Sequence, residues 1–301
     1  MSFYPTCTSG TRPANPLTGD TRFETDTKNI IVYDGTNWRV YNPDTANGWS
    51  GSNTYSLNFD GTDDYLIGSP VTASAQQGTI SAWIKTSASG SSQTILNTSD
   101  ATVDNKWLNL RVDGDTGHLR FVANNGGTNS ITTGSTDINT GSWVHVAVTC
   151  NSSAYSLYVN GSPETLTDNN NDGTWFGDFS LTNLSIGRQI RATMSGLPFN
   201  GNIDEVAVWD SALSATQIDN IYHGLSSTAT QFDRDAVTAG DEAPGNLMSF
   251  SPKAWWSMGD GVEANSGPTI YDMSSFSNDM TIVNAASGTN TAGAAYQLDT
   301  P

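Results

Sequence analysis

Positive charge is scarce in this 301-residue chain: 12 Lys+Arg stand against 30 Asp+Glu, for a formal net charge of −18. A nucleic-acid backbone is held by clustered Lys and Arg that displace counterions, so nucleic acid is not an expected partner. An anionic membrane surface is excluded on the same ground. Cysteine is nearly absent. Cys7 and Cys150 are the only two, which makes no disulfide framework. Cys150 closes the alternating run Val144, Val146, Val148 and reads as a buried core thiol. Long apolar runs are missing too; nothing approaches the ~18 consecutive apolar residues of a membrane-spanning helix. The first twenty residues lack a basic start followed by an apolar stretch, so no export signal is expected.

What the chain has is aromatic mass and small polar residues. Nine Trp, 10 Tyr and 10 Phe accompany 29 Gly, and only 14% of residues are charged. Disordered chains are richer in charge and poorer in aromatics. The expectation is a globular protein whose surface is built from Ser, Thr, Asn and Gly. Acidity is spread along the chain: residues 1–47 hold 4 positive and 5 negative charges, 48–225 hold 6 and 16, and 226–301 hold 2 and 9.

Residues 1–19 read as an extended arm, because Pro5, Pro13 and Pro16 fix φ and remove donors. Three strand-like runs follow (21–25, 29–33, 38–41), with turns at Asp26-Thr27-Lys28 and Asp34-Gly35-Thr36-Asn37. A meander this small cannot bury a core of its own, so it is expected to dock on something else. Residues 42–54 read as a linker. From residue 55 short strands recur between polar turns, the pattern of an antiparallel two-sheet sandwich or jelly roll. Ile80, Ala82 and Ile84 alternate with Ser81, Trp83 and Lys85, and Asn160-Gly161 supplies a hairpin turn. One helix is predicted over 214–223. Ser214 is its N-cap, Gln217 has capping-box spacing, Ile218, Ile221 and Tyr222 form its apolar stripe, and Gly224 follows its end. The expected domains are 1–47, 48–225, and a thin C-terminal extension, 226–301, packing on the sandwich.

Several segments carry a resemblance. Leu57-Asn58-Phe59-Asp60-Gly61-Thr62-Asp63-Asp64-Tyr65 and Thr79-Ile80-Ser81-Ala82-Trp83-Ile84 open the central region. Gly201-Asn202-Ile203-Asp204-Glu205-Val206-Ala207-Val208-Trp209 and the helix close it. With Trp143–Ala147 and Leu157–Gly161 between them, they resemble the laminin-G-like, concanavalin A-like lectin/glucanase family over 55–224. The resemblance implies an all-β jelly roll whose last strand, 201–209, lies beside its first, 55–59. The ends resemble tailed-phage virion proteins. Thr11-Arg12-Pro13, Phe23–Thr27 and Val32–Trp38 are similar to a segment of fibres and head decorations. Trp255–Gly261, Tyr271-Asp272 and Asn278–Thr281 look like a tail that accompanies the jelly roll in marine phage structural proteins.

Candidate sites follow from residue chemistry and from that resemblance. Glucanases on this fold carry E-x-D-x-x-E on one strand, which is absent here, and Asp204-Glu205 point to opposite faces of a strand. No enzyme is therefore expected. The three histidines, 118, 145 and 223, lack zinc spacing. The resemblance implies a structural Ca²⁺ at Asp204, with Asp60 as partner on the first strand; the same residues also read as a backbone N–H acceptor and a β-turn. Asp168, Asn170 and Asp172 match the first half of a calcium-loop template, but Phe179 stands where a Glu is wanted, and the segment equally reads as a polar hairpin tip. For sugar stacking, Trp107, Trp175 and Phe176 lie near polar loops, whereas Trp83, Trp143 and Trp209 read as core.

The functional expectation is a phage virion structural protein, a capsid decoration or fibre-like tail appendage on the outer surface of head or tail. Residues 1–47 would bind other virion proteins, the assembly would be a homo-oligomer such as a trimer, and the jelly roll would face host glycans. A secreted bacterial lectin-like adhesin and a polysaccharide hydrolase are the alternatives.

Overall fold

The computed structural model describes residues 6–8, 10–17, 20–24, 30–33, 38–41, 53, 55–71, 76–230, 244–245, 247–258, 269–284, 296–297 and 301. The turns expected at 26–28 and 34–37, most of the 42–54 linker, and much of the connectors at 231–243 and 285–295 lie outside these. The chain divides into two units, Met1–Gly51 and Ser52–Pro301.

The first unit holds one four-stranded sheet, Thr6–Cys7, Thr21–Glu24, Ile30–Tyr33 and Trp38–Tyr41, in that order. The last three form an antiparallel meander. Thr6–Cys7, on the segment read as an extended arm, pairs parallel to Thr21–Glu24. Parallel pairing needs a long connection, and the proline-bearing segment between them supplies it.

The second unit is a sandwich of two antiparallel sheets. One runs Ser162–Pro163, Tyr155–Val159, Trp143–Asn151, Gln77–Lys85, Asn200–Trp209, Ser56–Asp60, Tyr296–Gln297; Ala254–Trp256 also pairs with Asn200–Trp209. The other has nine strands: Thr167–Asn169, Asn129–Asp137, His118–Asn125, Lys106–Val112, Gln93–Ser99, Asn183–Ile186, Tyr65–Gly68, Met280–Val283, Thr269–Ile270. The last strand lies beside the first, with Asn202 opposite Asn58 and Ile203 opposite Leu57. Alternation sets the layers. Ile80, Ala82, Ile84, Val144, Val146 and Val148 from one sheet meet Leu108, Leu110, Leu119 and Phe121 from the other in one buried core. Burying each such aliphatic chain stabilises the fold by about 1.5–3 kcal/mol. Cys150 is sealed in this core, and burial pushes its thiol up to about 11, so it stays protonated.

Asn160-Gly161 makes the tight turn its residues predict. Both take positive φ, 47° and 75°, the geometry that suits a two-residue hairpin. The helix Ala215–Tyr222 is capped as its sequence requires: Gln217 N–H donates to Ser214 Oγ (3.3 Å), and Ser214 N–H to Gln217 Oε1 (2.9 Å). It lies on the outer face of the first sheet, where Tyr222 stacks on Trp83 at 5.6 Å and His145 sits beside both rings. Residues 254–283 add strands to both sheets, and the described sandwich is therefore built from chain on both sides of the 231–243 connector.

Candidate functional site

Period two decides what the outer face of the nine-stranded sheet presents. Leu108, Leu110, Val112, Leu119, Phe121 and Ala123 point into the core. Their neighbours Trp107, Asn109, Arg111, Arg120, Val122 and Asn124 therefore point outward. Register sets these in rows, with Arg111 opposite Arg120, Asn109 opposite Val122 and Trp107 opposite Asn124. On the other flank Asn109 faces Asn97, and Trp107 faces Ser99.

A short hairpin, Gln189–Ile190 with Ser195–Gly196, lies over one side of this face. Asn97 Nδ2 and Ser99 Oγ donate to the Ile190 carbonyl (2.9 and 2.8 Å), and Ser185 Oγ donates to the Arg188 carbonyl (2.7 Å). The hairpin carries Arg191 onto Trp107, its guanidinium carbon 4.9 Å from the ring centroid. Arg191 Nη1 donates to the Asp104 carbonyl (3.2 Å), and the Asp104 carboxylate accepts from Thr193, which holds it below its ordinary pKa. Arg120 donates from Nε to Thr133 Oγ1 (3.0 Å) and pairs with buried Asp113. Arg111 makes no hydrogen bond and no ion pair among the described residues. Burial pushes its guanidinium pKa down, and repulsion from Arg120 and Arg191 adds to this against the pull of Asp113. Trp107 Nε1, Asn109 Oδ1, Arg111 Nε and Arg191 Nε are all buried without a hydrogen-bond partner among the described residues. Such atoms are costly unless something polar meets them. This is an unusual surface: a protein with 12 basic residues brings three arginines to one sheet face.

The sequence-predicted residues fall elsewhere, and three expectations need correction. Trp107, Trp175 and Phe176 are not free to stack on sugar. They are 7%, 0% and 2% exposed. Trp107 lies beneath Arg191, while Trp175 packs on Phe121 and Tyr155 in the core. Asp60 and Asp204 do not share one cage. Asp60 pairs with Asn200, and Asp204 stands four residues further along the same strand, about 13 Å away at strand rise. Trp143, read as core, is only half-buried, whereas Trp83 and Trp209 are buried.

Asp204 instead sits at a bulge on the helix-covered face, between its pairing with Trp83 and that of Ala207 with Ser81. Its Oδ1 accepts from Glu205 N–H (2.8 Å), and its Oδ2 from Asn53 Nδ2 (2.9 Å). Glu205 adopts φ 49° and accepts the Trp255 indole N–H, so both carboxylates of this pair are buried in a bonded network. Asp60 joins Asp63 and Asp64. The three offer carboxylate oxygens within 4.8 Å of one another on one tight turn. Asp60 Oδ1 accepts from Thr62 N–H (2.7 Å), Asp64 Oδ2 from Asp60 N–H (2.9 Å), and Asp63 Oδ2 from Asn284 Nδ2 (3.2 Å). The Asp168–Gly173 oxygens turn inward on their own loop. Asp168 accepts from Thr132 Oγ1 (2.6 Å) and Asn171 Nδ2 (3.2 Å). Burial works to raise the Asp172 carboxyl, but bonds from Thr174, Ser130 and Tyr155 outweigh it and hold the group below its ordinary pKa. Arg111, Arg120 and Arg191 were missed, although arginines at the polar positions of alternating strands were a readable signal.

Residues 59–219, just over half of the chain, match the model of the concanavalin A-like lectin/glucanases superfamily. The chain belongs to this superfamily. Its fold is shared by a putative carbohydrate binding protein from Bacteroides ovatus (TM-score 0.52, 21% identity), which matches over 76% of this chain and 59% of its own. The carbohydrate-binding module CBM40 of the Ruminococcus gnavus IT-sialidase, bound to α2,3-sialyllactose, matches with TM-score 0.47 and 19% identity over 57% of this chain and 99% of its own. The heptameric SAP-like pentraxin of Limulus polyphemus matches with 0.44 and 21%, over 56% and 82%. No curated protein matches the chain.

Proposed function

We propose that this chain is a non-catalytic glycan-binding module whose binding surface is the outer face of the nine-stranded sheet, at the half-buried Arg111 and Arg191, with Trp107 and Asn109 buried beneath them. The observation that carries this reading is the cluster of buried, unpartnered polar groups on that face. Sugar hydroxyls are donors and acceptors at once, so a bound glycan satisfies groups of both kinds. The Bacteroides ovatus protein of the same fold is described as carbohydrate binding, in keeping with the reading. The other outer face also buries unpartnered nitrogens, at His145 and Trp209, but there Tyr222 of the helix packs over His145 and Trp83, and no arginine stands among them. A printed glycan array probed with the labelled chain tests this: retention of a defined set of glycans is expected, and retention of none rejects the reading.

The location we propose is the outside of a phage particle, with residues 1–47 attaching the chain to other virion proteins. The resemblance of the two ends supports this, together with the division of the chain into Met1–Gly51 and Ser52–Pro301. Mass spectrometry of gradient-purified particles is expected to detect the chain; its presence in lysate but absence from particles rejects the location.

We also propose a structural Ca²⁺ on the turn after the first strand, held by Asp60, Asp63 and Asp64. The donor set fits, since three carboxylates on one turn supply hard oxygens within 4.8 Å of one another. The ion would offset their mutual repulsion and pin the strand end. At Ca²⁺ concentrations about 100 times the dissociation constant, binding adds about 2.7 kcal/mol. EDTA is then expected to lower the melting temperature by roughly 5–10 °C for a domain of this size, and the Asp60→Asn, Asp63→Asn variant to lose that response. An unchanged wild-type melting curve removes the ion.

A further inference from the structure

Arg111 and Arg120 are directly opposed on adjacent antiparallel strands. Like charges in that position repel at a Cβ separation of about 5 Å and weaken the sheet. Asp113 compensates one of the two, Arg120. Arg191, brought in by the hairpin, adds a third positive charge. Arg111 is left half-buried with no anionic partner in contact among the described residues, in a protein of net charge −18. Asp113 and Asp104 offset Arg120 and Arg191, and Asp113 draws on Arg111 without touching it; a cationic group that costs stability and is left without a contacting carboxylate is the expected form of a site whose counter-charge arrives with a ligand. The guanidinium fork suits a planar carboxylate, which it binds through two parallel hydrogen bonds. Around it lie an acceptor, Asn109 Oδ1, and a donor, Trp107 Nε1, both buried and unpartnered among the described residues. Asn124, beside Trp107 in register, is tied back to Asn129 (2.6 Å) and forms a wall. Arg191 occupies the Trp107 ring face, so stacking of a neutral sugar there is blocked and charge becomes the main means of recognition.

We propose that this face selects acidic glycans, with Arg111 as the anchor for the carboxylate of a sialic or uronic acid residue and Arg191 and Arg120 as flanking charges. This rests on the glycan-binding reading above and deepens it. Calorimetric titration of the full chain with four probes tests it: lactose, sialyllactose, the methyl ester of sialyllactose, and a glucuronate-terminated oligosaccharide. At least one of the two acidic probes is expected to bind at least tenfold more tightly than lactose, and which of them does so identifies the source of the carboxylate. If sialyllactose is the one, esterification abolishes the advantage. Raising salt weakens the acidic ligand and leaves lactose unaffected. Arg111→Gln is expected to lose the tenfold preference, and Arg111→Lys to retain part of it as a point charge. Equal affinity for lactose and both acidic probes, or an advantage that survives esterification or persists undiminished in Arg111→Gln, overturns the acidic selectivity and leaves the glycan-binding reading standing. Binding of none of the four probes, with neutral glycans retained on the array, overturns the selectivity alone; no retention of any glycan on the array overturns both.

Discussion

The two outer faces of the sandwich are built in opposite ways. On the first sheet, Trp83 and His145 lie against Tyr222 of the helix, and the Asp204 and Glu205 carboxylates of the bulge are drawn into a network. On the nine-stranded sheet the outward positions are Trp, Asn and Arg, with like charges set opposite one another and buried polar atoms left without partners. Backbone geometry is the same on both sides, since each face is a twisted antiparallel sheet with one side in the core. The difference lies in what the outward side chains ask of their surroundings. One face packs its aromatic rings under a helix and contributes stability, although the ring nitrogens of His145 and Trp209 there also lack partners among the described residues. On the reading proposed above, the other gives up stability and leaves Arg111 to be met by a ligand.

Substitutions on the two faces should therefore separate stability from binding. The largest effect belongs to the closed face. Trp83→Ala removes the ring stacked between His145 and Tyr222, and is expected to cost about 3–5 kcal/mol. Chemical denaturation measures this, and a loss below about 1 kcal/mol means the helix does not depend on the stack. A pH effect of intermediate size comes from the same cluster. Burial pulls the His145 pKa down to about 3, against an ordinary value near 6.5. The folded value is depressed, so the unfolded chain binds the proton first. The stabilising contribution of neutral His145 is complete above about pH 6.5 and declines as pH falls toward 3. Linkage gives a loss of about 2 kcal/mol between pH 7 and pH 5, measurable by urea unfolding across that range and flattened in His145→Phe. A slope unchanged in that variant assigns the effect to other groups. The smallest stability effect is on the open face. Arg111→Gln removes a side chain that forms no hydrogen bond or ion pair among the described residues and opposes Arg120, so stability should stay within about 0.5 kcal/mol or rise. A loss above 1 kcal/mol makes Arg111 a structural residue and breaks the contrast.

Local chemistry was readable in the sequence; distant pairing was not. Asn160-Gly161 and the Ser214/Gln217 cap are decided within four residues, and both formed as expected. The alternation through Ile80–Ile84 separated Ile80, Ala82 and Ile84 from Ser81 and Trp83, although Trp83 itself reads as core, and the motif resemblance placed 201–209 beside 55–59. Three features escaped because they depend on chain far away. Whether Asp60 meets Asp204 turns on strand register, which neither residue encodes. Trp107 looked like a loop-side stacking residue because the hairpin that brings Arg191 over it lies some eighty residues downstream. The strands Ala254–Trp256 and Met280–Val283 are short apolar patches whose partners stand at 206–208 and 65–67, and a patch that short carries no sign of which sheet it joins.

The central claim is that ligand binding belongs to the open face. It is tested most directly by nuclear magnetic resonance of side-chain N–H groups during titration with a glycan retained on the array. The Arg111 and Arg191 Nε–H and Trp107 indole signals are expected to shift, while the Trp209 and Trp255 indoles stay fixed. Shifts confined to Trp209, Trp255 or the helix amides, with the three open-face signals unmoved, would contradict the account.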